Sequence, residues 1–460
     1  MSFAEPQEWY PAEYRTHFDI ECQGNPLIET LYPQYSEAEF LGFITNTPEL
    51  PYNFFNLPFE HAQRDIKRLE KAYIPSPLDY EIYRHIHSEM VNGYVHRNPI
   101  TPMQQAKMLG VARGKFVPNP HKNKQTASGS CTLLSGISGI GKTERVQLIL
   151  RLFQPVIRHE FYQKHPLIID QVPTVSFEIS NLKSIKALGV NFFRAIDKLL
   201  GTKYTQQWYK GKQGTYAFLI EMQLLAERFG VGITHIDECQ KLLAEAKKDD
   251  SPTIQYLESL FNNVGVPIIM TCTEEGVELF DTDSDSDDGS LDKFTTCRRL
   301  TSGRDIRCER LSLFDDEFQQ FIDCFLPPYL FDRTPARSEE FKAQLYDYSQ
   351  GVHQVLNKLL RLFLDNLHRK RPEASQYSDV LKAVFDNQFR KLKPALRALK
   401  NKSAQAYELE MEKLRDYKDD ELSQMRDDKF ELAGEPLEPR TLHTSVKGPR
   451  VCSERELRKL

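Results

Sequence analysis

No run in the 460 residues approaches 18 consecutive apolar positions, and the amino terminus, MSFAEPQEWY, offers neither a basic segment nor an apolar one behind it. Neither a membrane span nor a secretory leader is expected, and a cytoplasmic address follows. The eight cysteines include no C-x-x-C pair and stand singly in apolar or charged surroundings. That pattern argues against a disulfide framework and against a cysteine metal site, so they read as reduced structural residues. Charge of one sign is also scarce: the net charge is only −5. Binding of nucleic acid by bulk charge is thereby excluded, while a local basic stripe is not.

What is present suffices for a large core and for two or three domains, with 40% hydrophobic and 27% charged residues. Residues 1 to about 60 are rich in proline, aromatic and acidic side chains without sustained periodicity, and read as an extended arm or adaptor. Apolar positions at helical spacing follow from Phe59 to Tyr94, so 1–114 is taken as an arm with helices. The basic, polar stretch KFVPNPHKNKQTASGS reads as a connecting loop. Strand and helix patterns then alternate: CTLLS, RVQLILRLF, PTVSFEIS, IKALGVNFFRAIDKLLG, YAFLIEMQLLAERFG, VGITHIDE, IQYLESLFNNVG and VPIIMTCT. This alternation predicts an α/β core over 115–313 with a parallel sheet covered by helices on both faces. The acidic run DTDSDSDDGSLD, 281–292, lacks the glycine and glutamate that a calcium loop requires and reads as a solvated insert. From 314 to 400 the pattern is helical and is read as a helical lid following the core, with Val352, Val355, Leu356, Leu359, Leu360, Phe363 and Leu367 tracing a core stripe. Residues 401–460 form a densely charged tail, helix-favouring at first and later broken by proline.

The chemistry begins at Gly136-Ile137-Ser138-Gly139-Ile140-Gly141-Lys142-Thr143, which fits G-x-x-x-x-G-K-[ST] without mismatch between a strand and a helix. Such a loop wraps phosphates with backbone N–H groups, and the helix that follows, with Glu144 in its first turn, adds its dipole. Lys142 would reach the β and γ phosphates, and Thr143 would ligate Mg²⁺. Asp237 and Glu238 end a strand pattern 95 residues after Lys142. There Asp237 would hold the magnesium shell and Glu238 would orient and deprotonate a water. Thr234 and His235 make that strand unusually polar. The absence of N-K-x-D favours ATP over GTP. Thr273 on the next strand is expected between the carboxylates and the γ-phosphate, with Thr271 as second choice. In the cluster CRRLTSGRDIRCERL, Arg298 or Arg299 is the expected arginine acting in trans, against the plainer reading of a solvated basic run. Three residues after Gly351, where a nucleotide-sensing arginine is common, stands Gln354.

These motifs place the chain among AAA+ P-loop ATPases. Together with NPLIETLYP (25–33), NGYVHRNP (92–99), LGVNFFRAIDKLLG (188–201), HIDECQKL, NNVGVPIIM and YSQGVHQVLNKL, in that order over roughly 25–400, they resemble the TnsC family, the AAA+ regulators of Tn-seven-type bacterial transposons. The resemblance implies a bacterial ATP switch that assembles on double-stranded DNA as a ring or filament. It also implies coupling of a target selector of the TnsD/TniQ type to the transposase subunits TnsA and TnsB, without cutting or joining DNA itself. Lys183 and Lys186, directly after the 173–180 strand, are the expected DNA contacts, against a reading as solvated helix-start lysines. A replication initiator or helicase loader shares the core, and a nucleotide-gated signalling scaffold would need no DNA. Duplex-dependent assembly separates the last from the first two.

Overall fold

Five short runs of apolar and β-branched residues pair into one parallel sheet. They are β2 (Cys131–Ser135), β5 (Thr174–Glu178), β6 (Ile233–Asp237), β7 (Ile268–Thr271) and β8 (Asp305–Arg307), in the order β5-β6-β7-β2-β8. The computed structural model describes residues 8–31, 33–113, 130–179, 185–209, 214–241, 266–274, 305–332 and 334–415. Residues 1–411 make one compact unit and 412–460 a second.

Alternation along each strand divides the core between the two faces, as a sheet covered on both sides demands. Leu133, Val175, Phe177, Ile236, Ile268 and Met270 pack with α7 (Ile185–Leu200), α8 (Tyr204–Tyr209) and α9 (Thr215–Arg228). Their neighbours Leu134, Ile233 and Ile269 face the other way, onto α6 (Lys142–Leu150) and the helices beyond it. The expected strand and helix order is thus observed, except that 254–265, the connecting loop 115–129, the acidic insert, Arg298 and Arg299 lie outside the described residues.

A three-stranded sheet that no alternation in the sequence announces is built mainly from the segment between α6 and β5. There β3 (Ile157–Tyr162) pairs antiparallel with β4 (His165–Gln171), and β1 (Tyr10–Pro11) adds in parallel. The two-residue turn is Gln163-Lys164, with φ of 46° and 71°. Both residues adopt the left-handed conformation that a tight hairpin needs, but neither is the glycine or asparagine that announces it.

The first 60 residues are not an extended arm: helices α1 (Pro26–Glu29) and α2 (Glu37–Ile44) lie in them, α2 being opened by a capping box between Ser36 and Glu39. The helical spacing from Phe59 to Tyr94 appears as α3 (Phe59–Arg68) and α4 (Pro77–Val95), followed by α5 (Pro102–Ala112). Phe40, Ile44, Leu50 and Phe54 are buried in the same cluster as the carboxy-terminal helices. Those comprise α10 (Asp316–Phe325), α11 (Pro328–Phe331), α12 (Glu339–Ser349), α13 (His353–Lys370), α14 (Tyr377–Gln388) and α15 (Lys393–Lys400). The expected stripe on α13 is buried throughout, and Asn357 and His368 on it bond the Leu69 and Leu57 carbonyls of the amino-terminal segment. Aperiodic sequence concealed this packing because the segment lends single aromatic anchors rather than one amphipathic face.

A buried charge network locks these parts to α6. Arg145 Nε pairs with Asp79 Oδ1 at 2.7 Å, and the Asp79 side chain is fully buried. Tyr73 Oη donates to the same carboxylate at 2.5 Å, and the Ser76 N–H and hydroxyl donate to its other oxygen at 2.7 and 2.8 Å. Arg145 also reaches Ser76 Oγ and Cys308 Sγ, each at 3.3 Å. Burial alone would lower the guanidinium pKa; Asp79 overrides it and holds it above its ordinary value. Removing one partner of such a pair strands a buried charge, which costs about 3–5 kcal/mol. Asp79→Ala is therefore expected to lower unfolding free energy by that order in urea titration, and a loss below about 1 kcal/mol would show that the pair contributes little.

Candidate functional site: the phosphate loop and the carboxylate edge

The strand order sets one polar residue between the two halves of the site. Because β7 lies between β2 and β6, Leu134 is level with Thr271, and Met270 with Ile236. Backbone bonds past the strand ends continue the alignment: Cys272 N–H donates to Leu134 O, Cys239 N–H to Thr271 O, and Cys308 N–H to Ser135 O, at 2.8–3.1 Å. The phosphate loop and the Asp237-Glu238 pair therefore open at the same carboxyl edge, where sheets of this kind bind ligands.

Within the loop, Gly136, Gly139 and Gly141 have φ of 149°, 86° and 93°. Gly139 carries a steric demand as well. Its carbonyl accepts from the Gln354 N–H at 3.0 Å, and a Cβ there would meet Val352 at 3.1 Å and the Gln354 side chain at 3.2 Å. Gln354 thus approaches the loop through its backbone and side-chain amide, at the position where the sequence reading noted a missing arginine. The helix α6 starts at Lys142, so its free N–H groups and dipole face the loop. Lys142 Nζ donates to the carbonyls of Gly136 and Ile137 at 2.6 and 3.0 Å. Burial pushes its ammonium pKa down, and the carboxylate charges of Glu408 and Glu238 counter this. Glu238 is thus electrostatically in touch with Lys142 across the sheet edge, while Thr143 follows Lys142 in the first turn of α6.

Asp237 is buried and accepts from the Thr271 hydroxyl and, at 2.9 Å, from the Glu238 N–H. Of the two threonines, it is Thr271, the second choice, whose hydroxyl reaches the carboxylate. β7 ends at Thr271, which points at Asp237, whereas Thr273 lies two residues beyond the strand, buried. A register count in an apolar run cannot separate two threonines of equal parity, since both fall on one face. Glu238 has φ of 59°, a left-handed conformation that costs a non-glycine residue about 1–3 kcal/mol. Its carboxylate accepts from Gln240 Nε2 at 2.7 Å and lies 3.7 Å from Lys241.

His235, which the sequence reading marked only as unusual, is part of the site's support. It is fully buried, with Nδ1 2.9 Å from Ser176 Oγ and Nε2 3.2 Å from Thr271 Oγ1. Burial drives its pKa down to about 4, partly opposed by Asp237, so the ring is neutral. Thr271 spends its proton on Asp237 and can only accept from the ring. The proton must then be on Nε2, with Nδ1 accepting from Ser176. A chain from Ser176 through His235 and Thr271 holds the Asp237 carboxylate in place. No local signal announces this, because its members come from three strands.

Of the remaining expected residues, Lys186 lies exposed in the first turn of α7, and Lys183 is outside the described residues. Arg307, from the same cluster as Arg298 and Arg299, pairs with Glu274 at 2.9 Å, and Arg310 donates to the Gln350 carbonyl.

Residues 125–280 match the family described as AAA domain. The fold is that of an AAA+ P-loop protein with added helices, as the strand order and the family match together indicate. No curated protein matches the chain. Among solved structures it is similar to a Walker-type ATPase of Pyrococcus abyssi, with 15% identity, 61% of this chain and 76% of that chain covered, and a TM-score of 0.33. It is also similar to Cdc6p from Pyrobaculum aerophilum (15% identity, 71% and 84% covered, TM-score 0.33) and to Drosophila ORC bound to DNA (12%, 72% and 78%, TM-score 0.32). Likeness at that level adds nothing to the assignment. Among the described residues no helix is long and apolar enough to cross a membrane.

The neutral His235 gives the site a pH signature. Its folded pKa lies below the unfolded value of about 6.5, so the unfolded chain takes the proton first as pH falls. The stabilisation is complete above that value and is lost toward pH 4, with a slope of up to ~1.4 kcal/mol per pH unit. His235→Asn should flatten the fall in unfolding free energy between pH 7 and 5; an unchanged slope would mean that His235 titrates normally.

Proposed function

We propose that this chain is an ATP-hydrolysing switch of the TnsC type, which assembles with ATP on double-stranded DNA. In that role it couples a TnsD/TniQ-type target selector to a TnsA/TnsB-type transposase. The observation that carries the nucleotide half is the convergence at one sheet edge of the glycine loop, Lys142 and the Thr271-held Asp237. The residues fit a magnesium nucleotide: left-handed glycines free the loop N–H groups, α6 presents its positive end, and a buried carboxylate faces them across one strand. The loop amides and Lys142 would hold the phosphates, while Thr143 and Asp237 would hold Mg²⁺. When bound, Mg²⁺-ATP supplies the transferable phosphoryl group and the neutralising charge. Glu238 would orient a water and take its proton, and Thr271 keeps Asp237 aimed. Support for the DNA and transposition half comes from the TnsC-like stretches outside the generic ATPase motifs, with Lys183 and Lys186 as DNA contacts and Arg298 or Arg299 acting in trans.

Glu238→Gln should retain nucleotide binding, abolish turnover and stabilise the DNA-bound oligomer; loss of nucleotide binding in this variant would count against the role of Glu238. Thr271→Val should slow ATP turnover by about tenfold or more, the scale on which positioning groups act, and Thr273→Val by much less. Negative-stain microscopy of the protein with duplex DNA, with and without a non-hydrolysable ATP analogue, checks assembly. Rings or filaments only with nucleotide are expected, and indifference to DNA would sink the switch reading in favour of a protein scaffold.

A further inference from the structure

The helix that begins at residue 404 brings Tyr407 and Glu408 onto the phosphate loop, across 270 residues of sequence between Ser138 and Glu408. Glu408 Oε1 accepts from the Ser138 N–H at 2.5 Å, and Oε2 from the Ser138 hydroxyl at 2.7 Å. Tyr407 Oη donates to the Ser138 carbonyl at 2.9 Å. The two adjacent side chains thus clamp one loop residue through its N–H, its hydroxyl and its carbonyl. Tyr407 and Glu408 are both buried, at 0% and 6% exposure, and Ser138 is 4% exposed. This is a built contact rather than a surface encounter. It also uses the loop in the manner for which such loops are shaped, an anion held by backbone N–H and close enough to Lys142 to stabilise its charge.

We infer that Glu408 is a built-in phosphate substitute, and that the segment starting at residue 404 is an autoinhibitory strap which a nucleotide must displace to occupy the loop. The inference rests on the nucleotide-binding reading above. A carboxylate and a phosphate chain are both anionic, and the Ser138 N–H can serve only one of them. Each therefore repels and displaces the other in a site where burial has removed the screening water. Strap release and nucleotide binding are then one coupled equilibrium. By reciprocity, anything that captures the freed helix tightens nucleotide binding by the factor with which nucleotide favours its release.

The test uses the full chain. Glu408→Gln keeps the side chain's size and removes its charge, and Tyr407→Phe removes the hold on the Ser138 carbonyl. Calorimetric titration with Mg²⁺-ATPγS is expected to show about tenfold tighter binding by Glu408→Gln than by the natural sequence, equivalent to ~1.4 kcal/mol. Tyr407→Phe should shift the same way. A merely structural role would weaken binding instead, and unchanged or weaker affinity in both variants overturns the strap. Hydrogen exchange of the natural chain requires no substitution: saturating ATPγS should speed exchange across 404–411, and equal or slower exchange overturns the proposal. Lys142→Ala separates the two readings. Binding that it abolishes, with no effect of Glu408→Gln, sinks the strap alone; no binding by any of the proteins sinks the nucleotide reading and the strap with it.

Discussion

The buried pair of Arg145 and Asp79 is the constraint on which the arrangement of this molecule turns. Arg145 stands two residues after the last residue of the phosphate-loop motif, so its side chain is fixed relative to the loop by a single helical turn. Asp79 stands in the first turn of α4, and Cys308 leads out of the sheet toward the carboxy-terminal helices. His353, which opens α13, lies close enough for the Arg145 charge to add to burial in driving its pKa down to about 4. One guanidinium thereby ties together the amino-terminal helices, the phosphate-loop helix and the carboxy-terminal helices. A buried ion pair is a costly way to gain stability, since desolvation consumes much of the attraction. Its value here is directional, because a hydrogen-bonded network in which each guanidinium nitrogen has its own partner permits one relative placement of three elements where apolar packing would tolerate several.

That placement matters because the carboxy-terminal helices touch the loop. Gln354 bonds the Gly139 carbonyl, and Gly351, at φ of 71°, makes the turn before α13 so tightly that a Cβ would collide with the Leu311 carbonyl. The segment from residue 404 completes the enclosure through Tyr407 and Glu408. Ser138, Gly139 and Lys142 are consequently held by partners from several parts of the chain. The carboxy-terminal helices and the strap thus touch directly the residues that would meet a phosphate.

The sheet edge is organised in the opposite manner, by short-range lacing. Ser176, His235, Thr271 and Asp237 are contributed by three adjacent parallel strands, and their hydroxyl-to-imidazole-to-hydroxyl-to-carboxylate chain fixes a proton direction, running from the exposed Ser176 to three buried groups. The polar residues that made β6 look a poor buried strand are the reason it can carry a well-aimed aspartate. The left-handed Glu238 directly after it marks the same economy, with an unfavourable backbone angle held by the bond from its N–H to Asp237.

The sequence by itself determined the alternating strand and helix core, the phosphate loop and the Asp237-Glu238 pair, because each is written in neighbouring residues: a glycine pattern, a period of two, a period near 3.6. The helical stripe from Val352 to Leu367 was legible for the same reason. Tertiary structure alone decided that Thr271 rather than Thr273 faces Asp237, since both threonines share a face and only the register against β6 distinguishes them. It alone folded the amino-terminal segment onto the carboxy-terminal helices and closed a hairpin at Gln163-Lys164 without a turn signature. It alone brought Glu408 to Ser138. A contact across 270 residues leaves no periodic trace, because its energy depends on where the intervening chain places two side chains and not on what stands beside either of them.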